Sequence, residues 1–310
     1  MSALDELLKD ATAGDPITGI KWTRKTVRKI TRELRRQGYE VERVTVHRLL
    51  LESGYRLRVN RKRLTKKRNP DRDRQMRYVA RQRAYYMKHK KPVISVDGKK
   101  RELVGNFKNA GRTWRKSPVD VFEKDFPTDA KGIALPYGIY DVVHNYGFVV
   151  VGTSHQTAAF AVNSIRKWWV KIGRVLFPTQ HELLIEADSG GANASKSWLW
   201  KWELQKMAND FGLNITVTHL PTGASKWNPI EHRLFPHVTR AMQGVPLLSH
   251  DLVKQLIEKT STATGLKVIA TLIRKQYYKG KKVAKDFKQT MQIKFDKQLG
   301  EWNYRAVPMH

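Results

Sequence analysis

Three carboxylates in this chain stand where strand and helix ends present groups that do chemistry. Asp97 closes the apolar run PVISVD, and Asp188 follows ELLIEA and leads into Ser189-Gly190-Gly191. Glu231 falls in the first turn of a helix that opens at Asn228-Pro229. The separations are 91 and 43 residues, so no two are local partners. If the strands ending at Asp97 and Asp188 are neighbours, both aspartates emerge at one sheet edge and the later helix lays Glu231 across them. Clustered carboxylates suit Mg²⁺, which takes a few hard oxygens and keeps waters and substrate phosphate as its other ligands. Two such ions about 3.5–4 Å apart clamp the attacking and leaving oxygens of phosphodiester hydrolysis or transfer. Without metal the carboxylates repel one another, which leaves the site disordered or partly protonated. Each residue also has a plainer reading. Asp97-Gly98 is a good hairpin turn, Asp188 can open an ordinary loop, and Glu231 with Asn228 makes a capping box.

The elements that must position these residues are legible as changes of period. PVISVD reads as a central strand buried on both faces. GIALPYGIYDVV and GFVVVGT follow as strands, with Asn145-Tyr146-Gly147 as the turn between them. HQTAAFAVNSIRKWWVKIG then switches to helical period, with Ala158, Val162, Ile165, Trp169 and Ile172 on one face. ELLIEA returns to a strand, residues 195–210 read as a helix with Ser195 as N-cap, and Asn214–Leu220 is a strand. The last helix runs from Asn228-Pro229 to about Gln243. This order predicts an α/β layer sandwich with a mixed sheet.

Charge surrounds that core. The chain has 310 residues, 59 Lys and Arg against 28 Asp and Glu, and a formal net charge of +31. Such a chain asks for a polyanion, and nucleic acid is the obvious one, double-stranded DNA if the helical region in front of the core is a helix-turn-helix. Residues 21–90 hold 25 Lys and Arg against 6 acids, and residues 271–300 hold 9 against 2. From Thr23 to Gln37, Val27, Ile30 and Leu34 recur at helical spacing, with Arg24, Lys25, Arg28 and Lys29 on or beside the basic faces and Gly38 as the stop. A second helix is predicted from Glu42 to Glu52, with Val44, Val46, Leu49 and Leu50 inward. The pair reads as a helix-turn-helix or small winged unit, or as a basic hairpin that holds phosphate without reading bases. Arg61, Lys62 and Arg63 lie in a polar linker, and a basic helix from Arg72 to Lys88 is expected to lie along DNA. The predicted divisions are 1–58 for the helix-turn-helix region, 59–91 for the basic linker and helix, 92–250 for the α/β core, and 251–310 for a basic C-terminal extension.

Composition removes other classes. Zero cysteine excludes a disulfide scaffold, a cysteine-ligated zinc site and a thiol nucleophile. A hydrophobic fraction of 40% with nine Trp supports a real core. No run of about 18 apolar residues predicts a membrane span, and nothing at the N-terminus reads as a signal peptide. No membrane partner or small-molecule cofactor is expected. His144, His155 and His219 lack zinc-ligand spacing and read as core or surface residues. At least half of Trp168, Trp169, Trp198, Trp200 and Trp202 are expected in the core.

The blocks ISVDGKKRELVGNFKNAGRTW, ALPYGIYDV, EADSGGAN, HLPTGASKWNPIEHRLF and GEWNY together resemble the DDE transposases of the ISAzo13 group of insertion sequences. That group is distantly similar to the IS630 and Tc1/mariner transposases. The resemblance runs from about residue 12 to residue 304, and WTRKTVRKITRELRRQGYEVERVTVHRLLLESGY matches the family's helix-turn-helix segment. It implies a ribonuclease H-like core preceded by a basic helical region, with Asp97, Asp188 and Glu231 as metal ligands for Mg²⁺ or Mn²⁺. It implies that water first attacks the phosphodiester at an element end and that the exposed 3′-OH then attacks target DNA. It further implies a homo-oligomer on DNA and a bacterial, nucleoid-associated location in the cytoplasm. Asn193 and Asn228 stand where related transposases carry polar residues near the site, and both are expected to support it. Members usually carry a further N-terminal helix-turn-helix. The start of this chain is compatible with a truncated copy, a late start codon or a fragment of a split gene.

Lys99, Lys100 and Arg101 follow Asp97 and are candidates for holding phosphate. NFKNAGR, with Lys108 and Arg112, reads as a DNA-contacting loop, and Lys226 with Trp227 as a contact to the DNA end. A solvated basic face, a hairpin insertion and a pinned helix start are the respective alternatives. Two other functions stay open on the residues: a remnant that binds DNA without catalysis, and a nuclease that cuts without joining.

Overall fold

Ten-residue basic helices hold in water only when an apolar stripe is covered. In the first unit of the chain, residues 1–66, that cover is mutual. The computed structural model describes residues 25–58, 69–224, 227–284 and 286–309, Leu4, Leu7 and Leu8, and the backbone of two short N-terminal strands. Those strands, β1 (Thr12–Gly14) and β2 (Lys21–Thr23), pair antiparallel. Helix α1 (Val27–Arg36) is capped by Thr26, whose side chain accepts from the Lys29 N–H, and α2 (Arg43–Glu52) follows. Ile30 and Leu34 of α1, Val46 of α2, and Leu4, Leu7 and Leu8 share one buried cluster. Val44, expected inward, is 81% exposed. It lies two residues from Val46 and so on the opposite side of the helix. Arg24, Arg61, Lys62, Arg63 and Lys226 lie outside the described residues.

The second unit, residues 67–310, opens with α3 (Arg72–Lys88). Expected as a linker helix along DNA, it docks instead on the sheet. Val79 and Tyr86 are buried, and Arg83 makes a two-pronged ion pair with the fully buried Glu186 at 2.8 and 2.6 Å. The strands are β3 (Val93–Gly98), β4 (Glu102–Val104), β5 (Gly132–Asp141), β6 (Tyr146–Gly152), β7 (Glu182–Ala187), β8 (Asn214–His219), β9 (Lys267–Ile273), β10 (Ile293–Phe295) and β11 (Asn303–Ala306). Their order is β10-β11-β8-β7-β3-β5-β6-β9, with β4 on β5. β3, β5 and β6 form an antiparallel meander, and β7 and β8 continue it on the other side of β3, both parallel to it. With helices on both faces, this is a ribonuclease H-like core. Residues beyond 250, expected as a basic extension, supply β9, β10 and β11 to the same sheet.

Period-2 alternation explains the two cores. Phe148 and Val150 of β6 face α4 (Ala158–Trp168) and α5 (Trp198–Phe211), in a cluster with Ile94, Val96, Ile165, Trp168, Trp200 and Leu204. Val149 and Val151 face the other side, against α6 (Pro229–Arg233), α7 (Phe235–Met242) and α8 (His250–Glu258), through Ile230, Phe235, Val238, Val253 and Ile257. The helical face predicted from Ala158 to Ile172 is buried throughout, its last turn being π-helical (Trp169–Gly173). Trp168, Trp169 and Trp200 are core residues. Two local expectations shift. The cap of α5 is Ser197, not Ser195, and its side chain accepts from the Trp200 N–H. The predicted helix from Asn228 to Gln243 breaks at Leu234 into α6 and α7.

Candidate active site

β3 and β7 are adjacent and parallel, with Val96 opposite Ala187. Asp97 and Asp188 are the next residues on each strand line and therefore leave the sheet side by side. Asp97 remains within β3, opposite Gly138 of β5, so Asp97-Gly98 is not a hairpin turn. The Gly98 N–H donates to Asp97 Oδ1 at 2.7 Å. Glu231 arrives on α6, on the face toward which Ser95 and Asp97 point. Two hydrogen bonds pin that helix. Ser95 Oγ donates to Asn228 Oδ1 and accepts from the Ile230 N–H at 3.1 Å. Asn228 is fully buried, and its Nδ2 reaches toward Asp97 Oδ2 at 3.5 Å. Its side chain does not cap α6, so the capping-box reading of Asn228 and Glu231 is not realised.

The electrostatics are those of crowded acids. Burial, then Asp188, then Glu231 push the Asp97 carboxyl up to about 8, against the lowering effect of the Gly98 N–H. Asp188 is raised mainly by burial, with the Gly190 N–H and the Asn193 side chain holding it down. Among the described residues, no cation is among the groups that set either carboxyl. Asp188 Oδ1 is buried without a hydrogen-bond partner, which is costly unless something else meets it. Among the described residues, no three His, Asp or Glu side chains are gathered closely enough to grip an ion unaided. The donor set still fits a hard divalent cation. Asp97, Asp188 and Glu231 offer carboxylate oxygens only, one of them an orphan, and burial raises both aspartates.

The buried shell behind these acids was only partly anticipated. Asn193, in the turn Gly191–Asn193, is 2% exposed and accepts from the Tyr137 hydroxyl at 2.6 Å. Tyr137 lies opposite Gly98 in β5, and burial, Asp97 and Asp188 hold its hydroxyl well above its ordinary range. His219, at the end of β8, is fully buried. Its Nδ1 faces the Asp188 carbonyl at 2.7 Å, which can only accept, so Nδ1 carries the proton. Nε2 then accepts from the Tyr304 hydroxyl at 2.9 Å. Burial pushes the ring down to about 4, so it is neutral. Tyr137, Ser95 and His219 carried no sequence signal beyond strand position, because a polar residue in an apolar strand reads equally as core.

The rim residues divide. Lys99, expected to hold phosphate, is instead committed to an ion pair with Glu102 at 2.6 Å, and its side chain is 9% exposed. Lys100, Lys108 and Arg112 are exposed, as are Lys25, Arg28 and Lys29 of the first unit. In NFKNAGR the amides face inward: Asn109 donates to the Met242 and Val245 carbonyls and Asn106 to that of Asp120. Phe107 packs on Phe122, and both cations of that loop, Lys108 and Arg112, face outward.

The model of the Rhodopirellula transposase DDE domain family matches residues 3–308 of this chain. The chain belongs to that family. Membership agrees with the family expected from the ISVDGKKREL, EADSGGAN and NPIEHRLF blocks, and makes the chain a transposase by descent. No curated protein sequence matches it. Among solved structures, this transposase is similar to the Mos1 transposase paired-end complex with left transposon end, at 15% identity and TM-score 0.45, over 83% of this chain and 69% of that chain. The Mos1 mariner paired end complex with Mn gives 16% identity and TM-score 0.44, over 84% and 70%. The pre-cleavage Mos1 transpososome gives 14% and 0.45, over 83% and 70%.

Proposed function

We propose that this chain is a DNA transposase that cuts at the ends of its insertion sequence and joins the freed 3′-OH to target DNA. The observation that carries the reading is the delivery of Asp97 and Asp188 by adjacent parallel strands, with Glu231 on a helix pinned over them through Ser95 and Asn228. Asp97, Asp188 and Glu231 are the residues that would hold Mg²⁺ or Mn²⁺. A divalent cation held there supplies neutralisation of the charge that develops on the attacking and leaving oxygens. The chain's own residues do the rest. Asn228 orients Asp97, Asn193 and the His219–Asp188 contact fix the second aspartate, and Lys100, Lys108 and Arg112 meet phosphates beside the site. The basic helices of the first unit, through Lys25, Arg28 and Lys29, hold duplex DNA. Water attacks the phosphodiester in the first transfer and the released 3′-OH attacks target DNA in the second, with no covalent enzyme intermediate. Two ends must meet, so two or more copies assemble on DNA.

The test is incubation with DNA carrying the gene's own flanks, in Mn²⁺ and in Mg²⁺, beside Asp188→Ala. Nicked and joined products from the wild type, absent from the variant while DNA binding persists, support the reading. Normal cleavage by Asp188→Ala removes the site assignment. Cuts without joining make the protein a nuclease, and salt-sensitive binding without cuts by either protein makes it a remnant.

A further inference from the structure

β9 pairs parallel to β6, with Ile273 opposite Gly152. β6 runs in the direction of β3 and β7, so β9 ends at the sheet edge that delivers Asp97 and Asp188. From that edge the chain continues as Arg274-Lys275-Gln276-Tyr277-Tyr278-Lys279-Gly280-Lys281-Lys282. Together with α4 and α5 it encloses a groove of about 730 Å³. A second hollow of about 530 Å³ shares Leu199 and Lys281 with the first and continues to Lys288.

The segment is fixed rather than loose. Tyr277 is buried, its hydroxyl accepts from Asn163 Nδ2 at 2.6 Å, and its N–H donates to Ser154 Oγ at 3.0 Å. The two acids lining the groove are already matched, Glu203 with Lys206 at 2.7 Å and Asp210 with Arg166 at 2.5 Å. Lys275, Lys279 and Lys282 are exposed, and Tyr278, which lines the groove, is 76% exposed. Lys288 lies over the Trp198 ring at 4.7 Å, which keeps the second hollow basic and aromatic as well. One end of the groove lies near the active site. Thr157 lines it, and the amide of the preceding Gln156 fills the space a Cβ on Gly98 would need, one residue from Asp97.

We propose that this groove and the hollow it continues into bind a single DNA strand leaving the active-site edge, with Lys275, Lys279 and Lys282 on its phosphates and Tyr278 stacked on an unpaired base. A row of cations beside an exposed aromatic ring is the chemistry of single-strand binding. The bases of a duplex are stacked on each other and present no face to Tyr278, which favours the single strand. The proposal rests on the DNA-cutting reading above and identifies where the chain takes one strand of that DNA.

The experiment measures binding of the full-length protein to a labelled single strand and to a duplex of equal length, over a range of salt. The variants are Lys275→Ala/Lys279→Ala/Lys282→Ala, Tyr278→Ala and Tyr278→Phe. The triple variant is expected to lose at least about tenfold in single-strand affinity and to flatten the salt slope by roughly 2, at about 0.7 per phosphate contact. Tyr278→Ala is expected to lose roughly tenfold and Tyr278→Phe almost nothing. Unchanged single-strand affinity and slope in the triple variant overturn the groove. An equal loss on duplex assigns it to duplex DNA and overturns the single strand, and a neutral Tyr278→Ala overturns the stacked base. Asp188→Ala separates this from the reading beneath it: normal cleavage by that variant with groove-dependent binding intact removes the catalytic assignment alone, whereas lost cleavage with groove variants binding like wild type removes the groove alone.

Discussion

Asp97 has three reasons to stay protonated: burial, Asp188 and Glu231. Its carboxyl stands at about 8 in the folded chain, against roughly 3.9 in an unfolded one. Between those values the folded state holds a proton that the unfolded state has released. Stability from this residue is therefore full below about pH 4 and is lost as pH rises toward 8. Metal-free protein is expected to show a Tm that falls over this window, and Asp97→Asn to flatten that fall. Added Mg²⁺ should recover Tm at pH 8 in the wild type and not in the variant. Parallel melting curves for the two proteins in EDTA from pH 5 to 8.5 would sink the account. Asp188 adds a further cost, because among the described residues its buried Oδ1 has no hydrogen-bond partner.

Elements bring those residues together through close approaches that small side chains permit. Gly138 lies opposite Asp97 in β5, and a Cβ there would meet Phe235 Cε1 at 2.6 Å and Ile230 Cδ1 at 2.7 Å. Ile230 neighbours Glu231 on α6, so β5 must stay bare at this point for the helix to seat. Gly138→Val is expected to lift α6 from the sheet and lower the cleavage rate on the order of a hundredfold, the scale of a 1 Å misplacement. DNA affinity should hold. Ser95→Ala removes the hydroxyl that holds both Asn228 and the Ile230 N–H, and a milder loss of rate is expected from it. Wild-type rates in Gly138→Val would show that the position of α6 is not set by this contact. The same logic explains α3, whose basic composition suggested a DNA-facing helix. Arg83 is committed to Glu186, and one face of the helix is apolar enough to dock.

At the scale of the molecule, the two units have separate apolar clusters. Among the described residues, Ile30, Leu34, Val46 and their neighbours bury one another within residues 1–66. Calorimetry is expected to resolve two unfolding transitions, since chains with separate cores leave two-state behaviour. Leu34→Ala should lower only the first transition, by about 2–5 kcal/mol. One transition shifted as a whole by that substitution would contradict independent units. The charge of +31 makes both units salt-responsive, so the scans need fixed ionic strength to be compared.

Strands β3, β5, β6, β7 and β8, the helical face from Ala158 to Ile172 and the strand-end and helix-start positions of the three acids were legible in the sequence, because period and element ends are local properties of the chain. The family blocks were readable for the same reason. Other facts depended on which strands became neighbours. The parallel pairing of β3 with β7 put Asp97 beside Asp188 across 91 residues of sequence. Asn228 turned from capping its own helix to bonding Ser95, because that strand lay within reach. Lys99 turned to Glu102, and Asn106 and Asn109 turned to backbone carbonyls, so residues that read as phosphate contacts became structural ones. Residues after 250 read as a charged tail because basic residues dominate 271–300, yet β9 carries the apolar run KVIATLI and the sheet took it in with β10 and β11. Composition and period determined what this chain could be built from. Long-range pairing, whose energy no local window contains, decided which side chains met.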